Sequence, residues 1–421
     1  MILDFKRRLV FWIGAVSVGL VAIIFAVACE QANGVFYKLL AISPYLPLVT
    51  TPLFFALIVY LTKKYFPGSQ GSGIPQTIAS LDPNESSRIR MQVLSLRVTF
   101  GKMLLTALGL MFGASIGREG PTVQVGASIM HSLGRFAHFP RHDLERGLIL
   151  AGGAAGVAAA FNTPLAGIVF AIEEMSRSFD ENSSSTILMT VIIAGITSLA
   201  LLGNYSYFGH TAESLTFGKD WWLVVICGIT GGFFGGVFSR LLIAFNKGLN
   251  GRIGQWMRVQ PVLLAACCGF ILAAIGLFSG NTTYGSGYTE AKLLLDGSAA
   301  LPDSFALLKM SATAISYISG IPGGIMAPTL SAGAGLGANI SQLFPSVPAG
   351  AAIILGMVSY FAGVTQAPIT AFVIVMEMTD NHEMILPLMA ASFLAKLCSR
   401  LICPTPIFHA MAGNYMPKHI P

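Results

Sequence analysis

Long charge-free runs dominate the hydropathy pattern of this chain. Residues 9–29, 39–62, 147–172, 182–212, 221–239, 259–289 and 310–376 contain no Asp, Glu, Lys or Arg. About 20 apolar residues suffice for one helix across a bilayer, so these runs predict spanning helices. The run 9–29 follows Lys6, Arg7 and Arg8. It is long for a signal peptide and has no small-residue cleavage site, so it reads as a retained first helix with a cytoplasmic N-terminus. The run 310–376 is too long for one helix and is broken by Gly320, Pro322, Gly323, Gly324, Pro328, Pro345 and Pro348. It predicts several helices, some crossing only part of the bilayer. Such breaks survive at membrane depth only where protein or a water-filled cavity satisfies the freed backbone groups. The polar stretch 80–90 predicts an exposed loop. The chain ends at Pro421, shortly after the last apolar segment, which leaves no room for a soluble C-terminal regulatory domain.

Composition supports the same solvent. At 421 residues the chain could make two or three soluble domains. Yet only 10% of its residues are charged, against about 25% in soluble domains. Hydrophobic residues make up 54%, with 46 glycines besides, and the mean hydropathy is +0.71. Disorder, collagen, coiled coil and a disulfide scaffold are excluded. The net charge of +6 fits basic cytoplasmic loops better than a nucleic-acid surface. The six cysteines form no C-x-x-C pair and read as small hydrophobes. The seven histidines are scattered, so neither a metal nor another cofactor is implied.

The two halves resemble each other. PTVQVGA at 121–127 recurs as PTLSAGA at 328–334, and NTPLAGIVFAIE at 162–173 as QAPITAFVIVME at 366–377. Each match alone is weak, but the two are in order and nearly in register. They predict a duplication, with repeat one over about 1–210 and repeat two over about 215–421. Duplicated halves place a binding site at their shared interface.

Three Gly- and Pro-rich breaks stand out: Gly71-Ser72-Gly73-Ile74-Pro75, Gly117-Arg118-Glu119-Gly120-Pro121 and Gly324-Ile325-Met326-Ala327-Pro328. Each places Pro near a predicted helix start, where its missing N–H costs nothing. The first helical turn leaves N–H groups unpaired and carries about half a positive charge. Three such ends converging would bind an anion without a full positive charge, and weakly enough for it to leave. Each break alone reads equally well as a turn between packed helices. Glu119 lies between uncharged runs with only Arg118 beside it, and an ionisable group at that depth marks a functional site. A purely structural Arg118–Glu119 arrangement is the alternative. Burial favours its neutral form and a helix start its ionised form, so it could carry a proton or itself occupy an anion site. Glu173 and Glu174 close the run 147–172. They are solvated helix-end acids or separate functional groups. The repeat aligns Glu173 with Glu377, which suggests a structural role, and leaves Glu174 as the candidate proton port.

GSGIP, GREGP, the segment 324–328 and AAAFNTPLAGIVFAIEE occur in one order, and in that order the sequence resembles the CLC family of chloride channels and chloride/proton antiporters, from about residue 10 to the end. The resemblance implies an all-α polytopic membrane protein of inverted repeats with many tilted and broken helices. It implies one transmembrane domain over 1–421 without the C-terminal CBS domains of eukaryotic relatives, and a homodimer in the cell (inner) membrane with one ion pathway per subunit. Its substrates would be chloride and protons. By resemblance, Ser72 coordinates the central anion with its hydroxyl, helped by the N–H groups of Ile325 and Met326. Glu119 resembles the gating glutamate that competes with anion and carries protons on the outer side. Glu174 resembles the inner proton-transfer glutamate of antiporters. The helix starts would be formed by Gly71, Gly73, Gly117, Arg118, Gly120 and Gly324. Three positions depart from the pattern. Gln76 stands where Glu is frequent, Met326 where Phe is usual, and Phe408 where an anion-coordinating Tyr is expected. Tyr415, seven residues later, does not fit that position.

These residues favour a proton-coupled chloride antiporter, with a passive voltage- or pH-gated chloride channel as the alternative. An intramembrane protease would need a paired nucleophile and base or paired acids. The run 310–376 has no His and no G-x-S-x-G, so an enzyme is not expected. Anion-friendly helix starts argue against a cation symporter.

Overall fold

The structure is a computed structural model describing residues 2–82, 87–136, 142–176, 181–203, 207–298 and 301–415. Nineteen α-helices and one π-helical turn make up these residues, and their only β pairing is two isolated bridges. Five helices are long and apolar enough to cross a bilayer: Val10–Ile42, Arg90–Met111, Trp221–Lys247, Pro261–Phe278 and Ile385–Ile402. Their outer faces carry large apolar side chains in the open, such as Phe278 (86% exposed) and Leu401 (87%). Water would not tolerate a surface of that kind, whereas lipid makes it the favoured one.

The first helix runs on past the charge-free stretch to Ile42. Glu30 falls within this helix and lines a cavity. The run 310–376 becomes parts of four helices, Phe305–Ile318, Met326–Ser341, Ala349–Thr365 and Pro368–Thr379, as its Gly and Pro breaks require. The run 147–172 divides at Asn162-Thr163 into His142–Phe161 and Pro164–Phe170, and a π-turn over Ala171–Ser176 follows.

The expectation for 80–90 needs correcting. Residues 83–89 are outside the described structure or their side chains are, but Ser80, Leu81 and Arg90 are buried. The Arg90 guanidinium folds inward, donating to the Ser80 carbonyl (2.9 Å) and to Glu145 (3.2 Å). With the Asp82 carbonyl (3.1 Å) as a further acceptor, this charged side chain does not need the solvent that composition alone suggested.

Small residues set the central packing. Helix Glu119–Phe136 packs along His142–Phe161, and Met326–Ser341 along Ala349–Thr365. In the first pair, a β-carbon added at Gly126 or Gly152 would overlap the other's carbonyl oxygen. In the second pair, Gly333 and Gly356 meet in the same way. Backbones that approach this closely let the interrupted helices pack without bulky side chains between them.

The halves also cap each other. The Glu173 carboxylate accepts from the Ile369 (3.2 Å) and Thr370 (2.6 Å) N–H groups at the start of Pro368–Thr379. Glu377, on that helix, accepts from the Leu165 (3.1 Å) and Ala166 (2.7 Å) N–H groups at the start of Pro164–Phe170. Each acid satisfies first-turn donors that no intrahelical carbonyl can reach.

Candidate functional site

The three breaks meet at the centre of the molecule. Gly117 and Gly324 exchange two backbone hydrogen bonds of 2.7 Å each. Gly71 donates to the Ile321 carbonyl (3.2 Å) and accepts from the Gly323 N–H (3.0 Å). A β-carbon at Gly120 would strike Ser72 Oγ and come within 3.4 Å of the Gly324 Cα. Gly71 and Gly73 hold positive φ, 62° and 97°, a conformation that L side chains rarely adopt. All six positions named as helix starts therefore lie in or beside one knot. Gly120 and Met326 fall in first turns, and Ile325 is the residue before one.

Two polar side chains point into this knot. The Ser72 hydroxyl is buried and has no hydrogen-bond partner among the described residues. A buried donor of that kind is costly unless a ligand or water completes it. Glu119 is fully buried. Its Oε1 accepts from the Tyr207 hydroxyl at 3.4 Å, and its Oε2, without a hydrogen-bond partner among the described residues, lies where a β-carbon on Gly117 would stand, a point 3.3 Å from Cβ of Ala327 in the first turn of Met326–Ser341. The Arg118 guanidinium donates to the Ala26 carbonyl on the first helix (2.7 Å). A cavity of about 390 Å³ opens beside Glu119, lined among others by Glu30, Tyr37, Arg118, Ser286 and Glu290.

Glu174 lies elsewhere, in the π-turn that also carries Glu173. Widened turns of this kind re-aim side chains. Here Glu173 caps the opposite half while Glu174 is turned inward, its side chain 4% exposed. Its Oε1 is 3.8 Å from Nε2 of His409, which is 22% exposed and also within 2.8 Å of the Glu174 carbonyl. Phe408 is fully buried on helix Ile407–Ala412, which packs against the helix Ile74–Ser80 that follows Ser72. Gln76 donates to the Gln70 carbonyl (2.6 Å) and so braces the same loop.

Several site residues escape the sequence reading. Lys102 is fully buried and donates to the Gly71 (2.8 Å) and Gln70 (3.3 Å) carbonyls. Lys309 is its counterpart, donating to the carbonyls of Gly285 (2.8 Å), Thr283 (3.0 Å) and Tyr284 (3.3 Å). Both signals were in the sequence. The lysines are separated by the same 207 positions as Pro121 and Pro328, and Gly285-Ser286-Gly287 repeats Gly71-Ser72-Gly73. Gly285 and Gly287 also hold positive φ, 64° and 79°. Tyr207 and His409 had no comparable signal, being single side chains that the fold brings in from distant segments.

Interrupted helices that meet around a buried hydroxyl and a buried carboxylate, inside a shell of lipid-facing apolar helices, define a polytopic membrane transport protein built for a small ion. The chain belongs to the voltage gated chloride channel (CLC) family, whose pattern matches residues 54–400. A slow cyanobacterial chloride/proton antiporter shares its fold with a TM-score of 0.84 and 26% identity, over 98% of this chain and 99% of that one. A CLC-type fluoride/proton antiporter shares the fold at 0.80 and 23% identity, covering 95% of this chain and 97% of that one. A eukaryotic CLC transporter matches at 0.80 and 18%, over 98% of this chain and 74% of the other. Family and fold make this chain a multi-pass membrane protein of an anion-transporter family.

Proposed function

We propose that the protein is a secondary active transporter exchanging chloride for protons. In this reading Ser72 Oγ and the Ile325 and Met326 N–H groups hold the central anion. Glu119 gates it and carries protons on one side, and Glu174 passes protons on the other. The observation that carries the reading is the buried, unpartnered Glu119 Oε2, which lies over Gly117 in the knot that includes the start of Met326–Ser341, a place suited to an anion. A carboxylate there competes with a halide when ionised and yields to it when protonated, which links the two movements. Glu174, buried beside the partly exposed His409, offers a second proton stop away from the anion path. The likeness to a chloride/proton antiporter at 26% identity supports the same substrates.

The two halves, about 1–210 and 215–421, act as duplicated repeats of one membrane domain. The reciprocal Glu173 and Glu377 caps, the paired glycine contacts and the paired lysines support that assignment. The protein works as a homodimer in the cell (inner) membrane. The test is a reconstituted flux assay following chloride and protons together. An outward chloride gradient should drive protons inward against their own gradient. Chloride flux with no proton movement would replace exchange by passive conduction.

A further inference from the structure

Phe408 has a ring but no hydroxyl, and a second hydroxyl reaches the same place from another helix. Tyr317 closes helix Phe305–Ile318, just before the Gly320–Gly324 break. A β-carbon on Gly71 would lie 3.3 Å from its hydroxyl oxygen. The hydroxyl also lies 3.0 Å from Sδ of Met411. Met411 is three residues after Phe408 on one helix, and residues so spaced share a face. The Tyr317 oxygen is thus wedged between the Gly71-Ser72 turn and the helix face that carries Phe408. Its hydrogen is offered to a thioether, a weak acceptor. Beside it, the Ser72 hydroxyl has no partner.

We propose that Tyr317 is the second hydroxyl donor of the central anion site, taking the part that Phe408 cannot. With the site empty, the phenol rests on Met411. With an anion at Ser72, the O–H swings from sulfur to the anion, a stronger acceptor. The donor then belongs to the helix entering the Gly324 break, so the anion is clasped by the two loops that Gly71 and Gly323 already join. The inference rests on the chloride reading and adds a residue to it.

The experiment is calorimetric titration of purified protein with chloride, with paired fluxes in vesicles. Tyr317→Phe removes one oxygen and should weaken chloride binding roughly tenfold or more. Phe408→Tyr should add little in the parent, where the donor place is filled, yet restore binding in the Tyr317→Phe background. Met411→Leu deprives the phenol of its resting acceptor and should bind chloride at least as tightly as the parent, a result that stands even if Tyr317→Phe does not fold. If the parent binds chloride and Tyr317→Phe binds it equally well, the assignment of Tyr317 is overturned while the chloride reading stands. The same holds if Tyr415→Phe weakens binding and Tyr317→Phe does not, or if Met411→Leu binds more weakly. A parent protein that neither binds nor carries chloride overturns both.

Discussion

Glu119 and Glu174 are both buried carboxylates, but their neighbours differ. Glu119 sits at a helix start inside the knot, beside Gly117 and the Tyr207 hydroxyl, a setting that an anion could equally occupy. Glu174 sits beside an imidazole and its own backbone carbonyl, a setting suited to protons and not to halides. Glu119→Gln keeps the shape and removes both charge and proton. Anion flux should persist and uphill proton movement should vanish. Glu119→Ala should also free space for an additional bound anion, visible as a higher calorimetric stoichiometry. Glu174→Gln should stop proton movement too but leave chloride affinity unchanged. Uphill proton transport by Glu119→Gln, measured in sealed vesicles, would take the gate role away from that residue. The residue scale is also where the sequence was least informative. Glu119 was legible because it interrupts a charge-free run, and Ser72 because of its glycine neighbours. Tyr207, His409 and Tyr317 were not, since nothing local distinguishes a Tyr or His that contacts a site from one that fills a core.

At the scale of elements, two lysines fasten the two Gly-Ser-Gly turns. Lys102 spans from helix Leu96–Met111 to the carbonyls of Gln70 and Gly71, and Lys309 from Phe305–Ile318 to those of Thr283, Tyr284 and Gly285. Each ammonium adds a charged donor to the carbonyls of a left-handed turn, although Gly71 also accepts from the Gly323 N–H and Gln70 from Gln76. A hydrogen bond to a charged group contributes about 1.5–3 kcal/mol, so Lys102→Met and Lys309→Met should both lower the thermal midpoint, Lys102→Met the less because its carbonyls keep second donors. Only Lys102 fastens the turn bearing Ser72, so Lys102→Met should also weaken chloride binding while Lys309→Met leaves it near the parent value. Equal affinities in the two variants, by calorimetry, would deny Lys102 its hold on the anion site. Most elements were legible from charge-free runs and Gly/Pro breaks. What hydropathy could not give was burial within polar segments, as at Arg90, because acceptors at Ser80, Asp82 and Glu145 outweigh the preference of a guanidinium for water. The Gly285–Gly287 turn was overlooked for another reason: it is followed by Tyr-Thr where the first turn has Ile-Pro, so it lacks the proline that marks a helix start.

At the scale of the whole molecule, every group assigned to the pathway comes from one chain. Ser72, Glu119, Lys102 and Glu174 belong to the first half and Met326, Tyr317 and His409 to the second. The knot that joins the halves is closed by backbone bonds within the chain, Gly117 with Gly324 and Gly71 with Ile321 and Gly323. On this reading each subunit of the proposed homodimer holds its own complete set of groups, joined by its own backbone bonds. It follows that two subunits in one dimer should work independently. In dimers with one parent subunit and one Glu119→Gln subunit, purified by two different affinity tags, the parent pathway should exchange at its usual ratio while the altered one passes chloride alone. Proton transport per dimer should be half that of the parent dimer, and chloride transport should be the mean of the two pure dimers. If one altered subunit instead abolished all proton transport, the two pathways would have to be coupled through the dimer contact. The self-contained site drawn from these intrachain bonds would then be incomplete.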